Sequence, residues 1–294
     1  MSAGAPEPRG RPLRGVSVSD ALQSATVPLR AAGIETARLD AELLLADALG
    51  VAREELVTDP DRPLDGPATR RFQTAMRRRV FDREPVAYIL GRNGFRGLEL
   101  HVDARVLVPR PETEHLVEAA LGLPPGARVV DVGTGSGAVA LALKDERPDL
   151  DLIATDVDED ALAVARENAA RLGLQVEFRT GDLLDALGRE PSARPSAPPR
   201  VDAVLSNPPY VATGERLSRE VGHEPQRALF GGLDGLEVIR ALIPQAAAAA
   251  PFVAVEVGEG QAAAVAALMR DAGLPRIETA NDLSGIERVV VGRR

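Results

Sequence analysis

The sequence predicts an α/β protein: a doubly wound, seven-stranded sheet preceded by a small helical bundle and a connecting β-hairpin. Three observations predict it. From residue 109 onward, β-branched apolar runs alternate with helical stretches, the pattern of crossover units in a parallel sheet. The last two runs, Ile277-Glu278-Thr279 and Arg288-Val289-Val290-Val291, lie close enough to end the chain as an antiparallel pair. Residues 17–84 instead carry helix-period apolar positions and helix stop signals, with no strand pattern.

Taken in order, residues 1–14 are rich in Gly, Pro and Arg and read as a disordered tail. The bundle occupies 15–84. Its first helix has Ser19 or Asp20 as cap and a break near Val27-Pro28-Leu29, and its second runs from Ala37 to Leu49 with Gly50 as stop. A short helix near Arg53 to Val57 and a longer one from Thr69 to Arg83 complete it. Residues 85–108 read as a hairpin linker, with Pro85 to Gly91 opening it and Phe95 to Val102 alternating at period two. Residues 109–294 form the sheet domain, beginning with a helix from Thr113 to Leu121. The Pro, Ser, Ala and Arg run at 190–200 reads as an exposed loop.

Two segments carry chemistry. The strand Val201 to Leu205 runs directly into Ser206-Asn207-Pro208-Pro209-Tyr210. Two prolines fix the exit direction of the chain, which leaves the Asn207 carboxamide oxygen and the Pro208 carbonyl as rigid acceptors. Two close acceptors suit a planar –NH2 group with two protons to give. Upstream, Val129-Val130-Asp131-Val132-Gly133-Thr134-Gly135-Ser136-Gly137 leads into the helical run Ala138 to Leu143. Glycines let backbone approach a ligand, and the helix start offers free N–H groups. Gly133, Gly135 and Ala138 also satisfy the dinucleotide fingerprint, so a nicotinamide or flavin site is the rival reading. Asp131 argues against it, because a carboxylate there repels a pyrophosphate and attracts an ammonium group such as that of S-adenosylmethionine. Asp156 ends the next strand and can accept from both ribose hydroxyls, as either cofactor requires. Asp182 can accept an adenine amino group with Leu183 packed on the base, or it can cap the short helix that follows.

Composition limits the alternatives. There is no cysteine, and His101, His115 and His223 have no ligand spacing, so no metal site is expected. No apolar run is long enough to span a bilayer, and the N-terminus lacks an apolar signal core; a soluble, cytoplasmic chain is expected. The net charge of −9 is unevenly placed, about +1 over residues 1–108 and −10 over 109–294. An acidic catalytic domain disfavours a grip on nucleic acid phosphates. The arginines at 70, 71, 77, 78 and 79 read either as a solvated helix face or as a docking patch for an acidic partner.

Six segments in this order carry a resemblance over nearly the whole chain. They are Glu84 to Gly91, Val108-Pro109-Arg110-Pro111-Glu112-Thr113-Glu114, Asp131 to Gly137, Asn207 to Tyr210, His223-Glu224-Pro225 and Ala228 to Leu236. Together they resemble the bacterial release factor glutamine methyltransferases of the PrmC/HemK family. The Asn-Pro-Pro-Tyr motif alone does not separate these from adenine-N6 or guanine-N2 methyltransferases; the Pro-Arg-Pro-Glu-Thr segment with the upstream helices is more specific. The resemblance implies a Rossmann-like methyltransferase fold, S-adenosylmethionine as cofactor, and as substrate the glutamine in the Gly-Gly-Gln loop of class I peptide chain release factors. It places Asp131, Gly133, Thr134, Gly135, Ser136, Gly137, Asp156, Asp182, Leu183 and Asn207 around the cofactor. Asn207, Pro208, Pro209 and Tyr210, with Arg110, fall to the substrate, and Asn207, Pro208 and Tyr210 to catalysis. A ribosomal-protein glutamine is the close alternative substrate, and a nucleic-acid amino group a more distant one. Leu183 departs from the family, which often has an aromatic residue there, and the 190–200 loop looks longer than usual.

Overall fold

Ser17 starts the first helix, α1 (Val18–Ala31), through a reciprocal cap: its hydroxyl accepts from the Asp20 N–H at 3.1 Å while the Asp20 carboxylate accepts from the Ser17 N–H. The cap is thus Ser17, not Ser19 or Asp20 as expected. The structure, a computed structural model, describes residues 16–188 and 200–294; the expected tail 1–14 and residues 190–199 of the expected loop lie outside them. Nor does α1 break near Val27-Pro28-Leu29. Pro28 sits within the helix, which continues because Leu22, Ala25 and Leu29 are buried and outweigh one lost backbone bond. α2 (Ala37–Leu49) ends on Gly50, whose φ of 66° closes the last turn.

α3 (Glu55–Thr58) and α4 (Gly66–Arg77) follow, and α4 passes into a π-helical turn, Arg78–Asp82. The arginine cluster does not form one solvated face. Arg79 is buried against Asp40 at 2.7 Å, Arg71 donates to the Ala48 carbonyl, and Arg78 pairs with Glu84 through two bonds of 2.6 Å. Three of the five arginines therefore bind this unit to itself. The segment after Glu84 differs from the expected strand as well. Val86–Leu90 is a helix, α5, and Val86, Ile89 and Leu90 pack on the α1–α2 core at helical spacing.

The chain divides into two compact units, one through Leu90 and one from Gly91. The hairpin belongs to the second. It pairs β1 (Arg92–Phe95) with β2 (Leu98–His101) around the Arg96-Gly97 turn, where both residues have positive φ. α6 (Glu114–Ala120) leads into the main sheet. Its parallel strands are β3 (Arg128–Val132), β4 (Asp151–Asp156), β5 (Glu177–Thr180), β6 (Ala203–Ser206) and β7 (Phe252–Glu256). α7 (Ala138–Glu146) connects β3 to β4 and α8 (Glu159–Leu172) connects β4 to β5. α9 (Gln226–Leu229) and α10 (Glu237–Ala249) precede β7, α11 (Ala262–Asp271) follows it, and β8 (Arg276–Asn281) and β9 (Glu287–Arg293) close the chain antiparallel.

The strand order is β5-β4-β3-β6-β7-β9-β8. Along β3 the side chains alternate: Val129 joins a core with α6 and α7, whereas Val130 and Val132 join one with α10 and α11. Apolar burial on both faces explains why the parallel strands read as unbroken apolar runs. Between β3 and β6 the winding reverses, and a sheet of this kind opens a crevice at the carboxyl ends of the strands on either side of that point.

Candidate active site

That crevice is a cavity of about 350 Å³. β3 delivers the glycine turn to it. Gly133 (φ 73°) and Gly135 (φ 56°) take left-handed backbone, and a Cβ on either would meet no atom within 4 Å, so their bare surfaces face open space. Gly137 does different work. A Cβ there would come within 2.9 Å of Leu141 and 3.3 Å of Ala165, so its smallness lets α7 and α8 pack; it is not on the cavity wall.

Asp131 is buried beneath this turn and binds it: the Thr134 hydroxyl donates to its carboxylate at 2.6 Å and the Ala140 N–H at 3.3 Å. Burial pushes its carboxyl up to about 6, against those two donors. Asp156, at the end of β4, accepts from the Gly135 N–H and the Asp158 N–H, each at 2.9 Å, and burial raises it too. Asp182 occupies the cap position of the turn Leu183–Leu187, yet its side chain makes no capping bond and lies on the cavity wall. Leu183 beside it has a φ of 47°, a conformation that costs a Leu about 1–2 kcal/mol and aims the chain at the cavity.

β6 brings the amide. The buried Ser206 hydroxyl donates to the Val132 carbonyl at 2.7 Å, fastening the strand end to β3. Asn207 follows on the cavity wall with Pro208 and Pro209, and its Nδ2 donates to the Thr113 Oγ1 at 3.1 Å. Its amide nitrogen is thereby held, and its oxygen is left for another donor. The chain beyond is clasped. Gln261 donates to the Tyr210 carbonyl at 3.0 Å and accepts from the Gly258 N–H at 2.9 Å, while a Cβ on Gly231 or Gly235 would collide with the Pro209 or Tyr210 carbonyl.

Of the residues picked from sequence, Asp131, Gly133, Thr134, Gly135, Ser136, Asp156, Asp182, Leu183, Asn207, Pro208 and Pro209 share this one cavity. Tyr210 and Arg110 are not on its wall. The Tyr210 hydroxyl points to Glu256 at 3.5 Å, and burial followed by that carboxylate pushes the phenol up to about 12. Arg110 ion-pairs with the buried Glu224, which also accepts from the Val108 N–H at 3.1 Å, so Arg110 ties its loop to the segment before α9.

Sequence reasoning missed Thr113, Glu224 and Glu256 as parts of the site. Thr113 and Glu224 lay within motifs already singled out, and Glu256 had a signal of its own, an acid ending the apolar strand Phe252 to Val255. Among the described residues no group of His, Cys, Asp or Glu could hold a metal ion, and no helix is long and apolar enough to cross a membrane.

Residues 20–91 match the family model of the PrmC N-terminal domain, and residues 112–229 that of the methyltransferase small domain. A release factor glutamine methyltransferase of Koribacter versatilis is 41% identical over 288 residues, covering 95% of this chain and 99% of that one. One from Caulobacter vibrioides is 42% identical over 275 residues, covering 90% and 92%. The chain belongs to the PrmC/HemK methyltransferase family. It is a methyltransferase, with the doubly wound sheet expected of one. The catalytic domain of hMettl16, solved with the MAT2A 3'UTR hairpin 1, superposes with a TM-score of 0.51 over 81% of this chain and 84% of that one. At 16% identity it is similar in fold alone. For a PrmC/HemK enzyme, the reversal of winding between β3 and β6 explains why the glycine turn and Asn207 share one cavity although they lie far apart in sequence.

Proposed function

We propose that this PrmC/HemK methyltransferase uses S-adenosyl-L-methionine to methylate the side-chain nitrogen of the glutamine in the Gly-Gly-Gln loop of class I peptide chain release factors. The observation that carries the reading is Asn207: its amide nitrogen is held by Thr113 while its oxygen stays available at the cavity. The cofactor suits the cavity. Asp131, Asp156 and Asp182 surround it with carboxylate, which favours an ammonium group, a ribose diol and an amino group, and repels a pyrophosphate. Gly133 and Gly135 leave room where a bound molecule would lie against backbone, and Leu183 offers an aliphatic face to a base.

S-adenosyl-L-methionine held there by the glycine turn, Asp156 and Asp182 would supply an electrophilic sulfonium methyl for transfer to nitrogen, the S–C electron pair remaining on sulfur. The protein's part is to aim a poor nucleophile, since an amide lone pair is delocalised into its carbonyl. Asn207 Oδ1 and the Pro208 carbonyl accept from the two N–H groups of the substrate amide, turning its lone pair toward the methyl. The proton leaves the methylated nitrogen for water. In-line placement contributes on the order of 7–11 kcal/mol in the best-oriented cases, so positioning is enough without a general base.

Tritium transfer from labelled cofactor tests the substrate. Purified release factor is expected to be labelled on that glutamine, whereas labelling of a ribosomal-protein glutamine or of adenine or guanine in its place would overturn the assignment.

A further inference from the structure

Thr113 orients the Asn207 amide, and Thr113 must itself be held. It ends a short helical turn, Pro111–Thr113, that opens directly into α6. Its N–H donates to the Arg110 carbonyl at 3.1 Å, so its place depends on that of Arg110. Arg110 and Val108 are in turn held by one group. The Glu224 carboxylate accepts from the Val108 N–H at 3.1 Å through one oxygen and from the Arg110 guanidinium through the other. Glu224 lies 114 residues beyond Arg110, directly before Pro225 and α9. The far end of α9 is stitched to the residue that follows Tyr210: Val211 donates to the Leu229 carbonyl and accepts from the Gly231 N–H, each at 2.9 Å. Glu224 is thus where the loop that carries Thr113 meets the segment that holds the chain leaving Asn207 to Tyr210.

We propose that Glu224 is a positioning residue for methyl transfer, fixing through Val108 and Arg110 the place of Thr113 and hence of the Asn207 carboxamide. This rests on the reading of Asn207 as acceptor for the methylated nitrogen. Every link is a hydrogen bond of the structure: Glu224 to Val108 and Arg110, Arg110 to Thr113, Thr113 to Asn207. The burial of the carboxylate argues for position over stability. The Glu224 side chain is 1% exposed and that of Arg110 33%. A buried carboxylate gives up its water, and pairing it commonly does no more than restore that loss, so an apolar pair of the same volume would hold the fold about as well. An apolar pair lacks direction. One oxygen on a backbone N–H and the other on a guanidinium set two points of the loop relative to α9. Leu107, Pro109 and Thr113 then line one stretch of the cavity, and Pro225 and Ala228 another. Neither Glu224 nor Arg110 is on that wall, so the effect reaches the amide through Thr113. A displacement of about 1 Å at the reacting groups costs up to about a hundredfold in rate, which makes even partial loosening of this clasp measurable.

The test compares E224Q, T113V and the double variant with the wild type, measuring kcat and KM on release factor and cofactor affinity by calorimetry. A glutamine at 224 keeps the volume and one acceptor oxygen but turns an NH2 group toward either Val108 or Arg110, so one of the two bonds is lost. Expected are a fall in kcat of about tenfold for E224Q and for T113V, with KM and cofactor affinity within about threefold of the wild type. The double variant should also fall by about tenfold and not by about a hundredfold, because both changes act on one amide. The side-chain NH2 resonances of Asn207, identified by their absence in N207A, should move in E224Q as they do in T113V. Where E224Q binds no cofactor and so does not fold, R110K takes its place: it keeps a charge beside Glu224 without the guanidinium fork, and the same non-additive fall with T113V is expected. Losses that multiply in the double variant, a wild-type kcat in E224Q, or an effect confined to KM for release factor would overturn the positioning role, the last of these marking Arg110 as a substrate contact. Failure of the wild type to methylate any glutamine would instead sink the substrate, and the Asn207 resonances would still decide whether Glu224 orients the amide.

Discussion

Asn207 and Asp156 both face the cavity with acceptor oxygens, yet their losses should be felt in different quantities. Asn207 has no part in the glycine turn, and its side chain donates to Thr113, the bond that orients it. Asn207→Ala is expected to lower methyl transfer by at least about a hundredfold, the scale of deleting one preorganised contact in a transition state. Cofactor affinity should hardly change. Turnover near that of the wild type would remove Asn207 from the chemistry. Asp156→Ala works on the ground state instead. On the proposed cofactor placement it would delete a charge-assisted contact worth roughly 1.5–3 kcal/mol, and it also frees the Gly135 N–H from which Asp156 now accepts. Calorimetry should show the cofactor binding about ten- to a hundredfold more weakly, with a smaller effect on turnover at saturation. An unchanged dissociation constant would place the ribose elsewhere.

At the scale of elements, the two strands β3 and β7 each hold one buried acid, Asp131 and Glu256, both raised by burial. The sign follows from linkage. The folded protein keeps a proton on Glu256 up to about pH 7, whereas the unfolded chain releases it near its ordinary value of 4.5. The stability that this proton contributes is complete below about 4.5 and is lost as the pH rises through 7. Glu256→Gln cannot lose it. The variant should match the wild type near pH 4.5 and exceed it at pH 8 by something on the order of 2–3 kcal/mol, read as a difference in chemical denaturation midpoint. A stability difference that does not vary with pH would deny the buried ionisation. The same elements show what was legible beforehand. β3, β4, β6 and β7 were readable because a strand buried on both faces leaves an unbroken apolar run, and Gly50 marked the end of α2. α5 was misread as a strand because five residues satisfy either period, and only packing of Val86, Ile89 and Leu90 on the first unit decides it. Thr113 and Glu256 stood in visible patterns, a motif and a strand end, but their part in the site was not legible for a different reason. Thr113 accepts from Asn207 and Glu256 from Tyr210, partners distant in the chain, and no local pattern encodes such bonds.

For the molecule as a whole, the question is what the first unit is for. It has its own core, centred on Leu22, Leu29, Leu44 and Leu45, and every residue of the cavity wall lies in the second unit. Its arginine cluster is largely spent on internal bonds, so a docking role cannot rest on five free cations. Its surface is mixed: beside many exposed charged side chains it shows Val27 and Val57, 69% and 73% exposed. Such positions, together with Arg70 and Arg77, suit the folded surface of a protein better than a phosphate backbone. On the proposed substrate, a flexible glutamine loop would lose conformational freedom on entering the cavity, and a second contact made by the rest of its protein would offset that loss. The cut that tests this falls after Leu90 rather than Glu84, because α5 packs with the first unit. The fragment 91–294 should bind S-adenosylmethionine about as tightly as the whole chain while its methylation of intact release factor collapses. A short Gly-Gly-Gln peptide should be a poor substrate for both. If cofactor binding is lost, the fragment does not fold, and the question passes to Val27→Glu with Val57→Glu in the whole chain, which should raise KM for release factor and leave the peptide rate unchanged. A fragment that methylates intact release factor as well as the whole chain does, or a double variant with unaltered KM, would refute docking by the first unit.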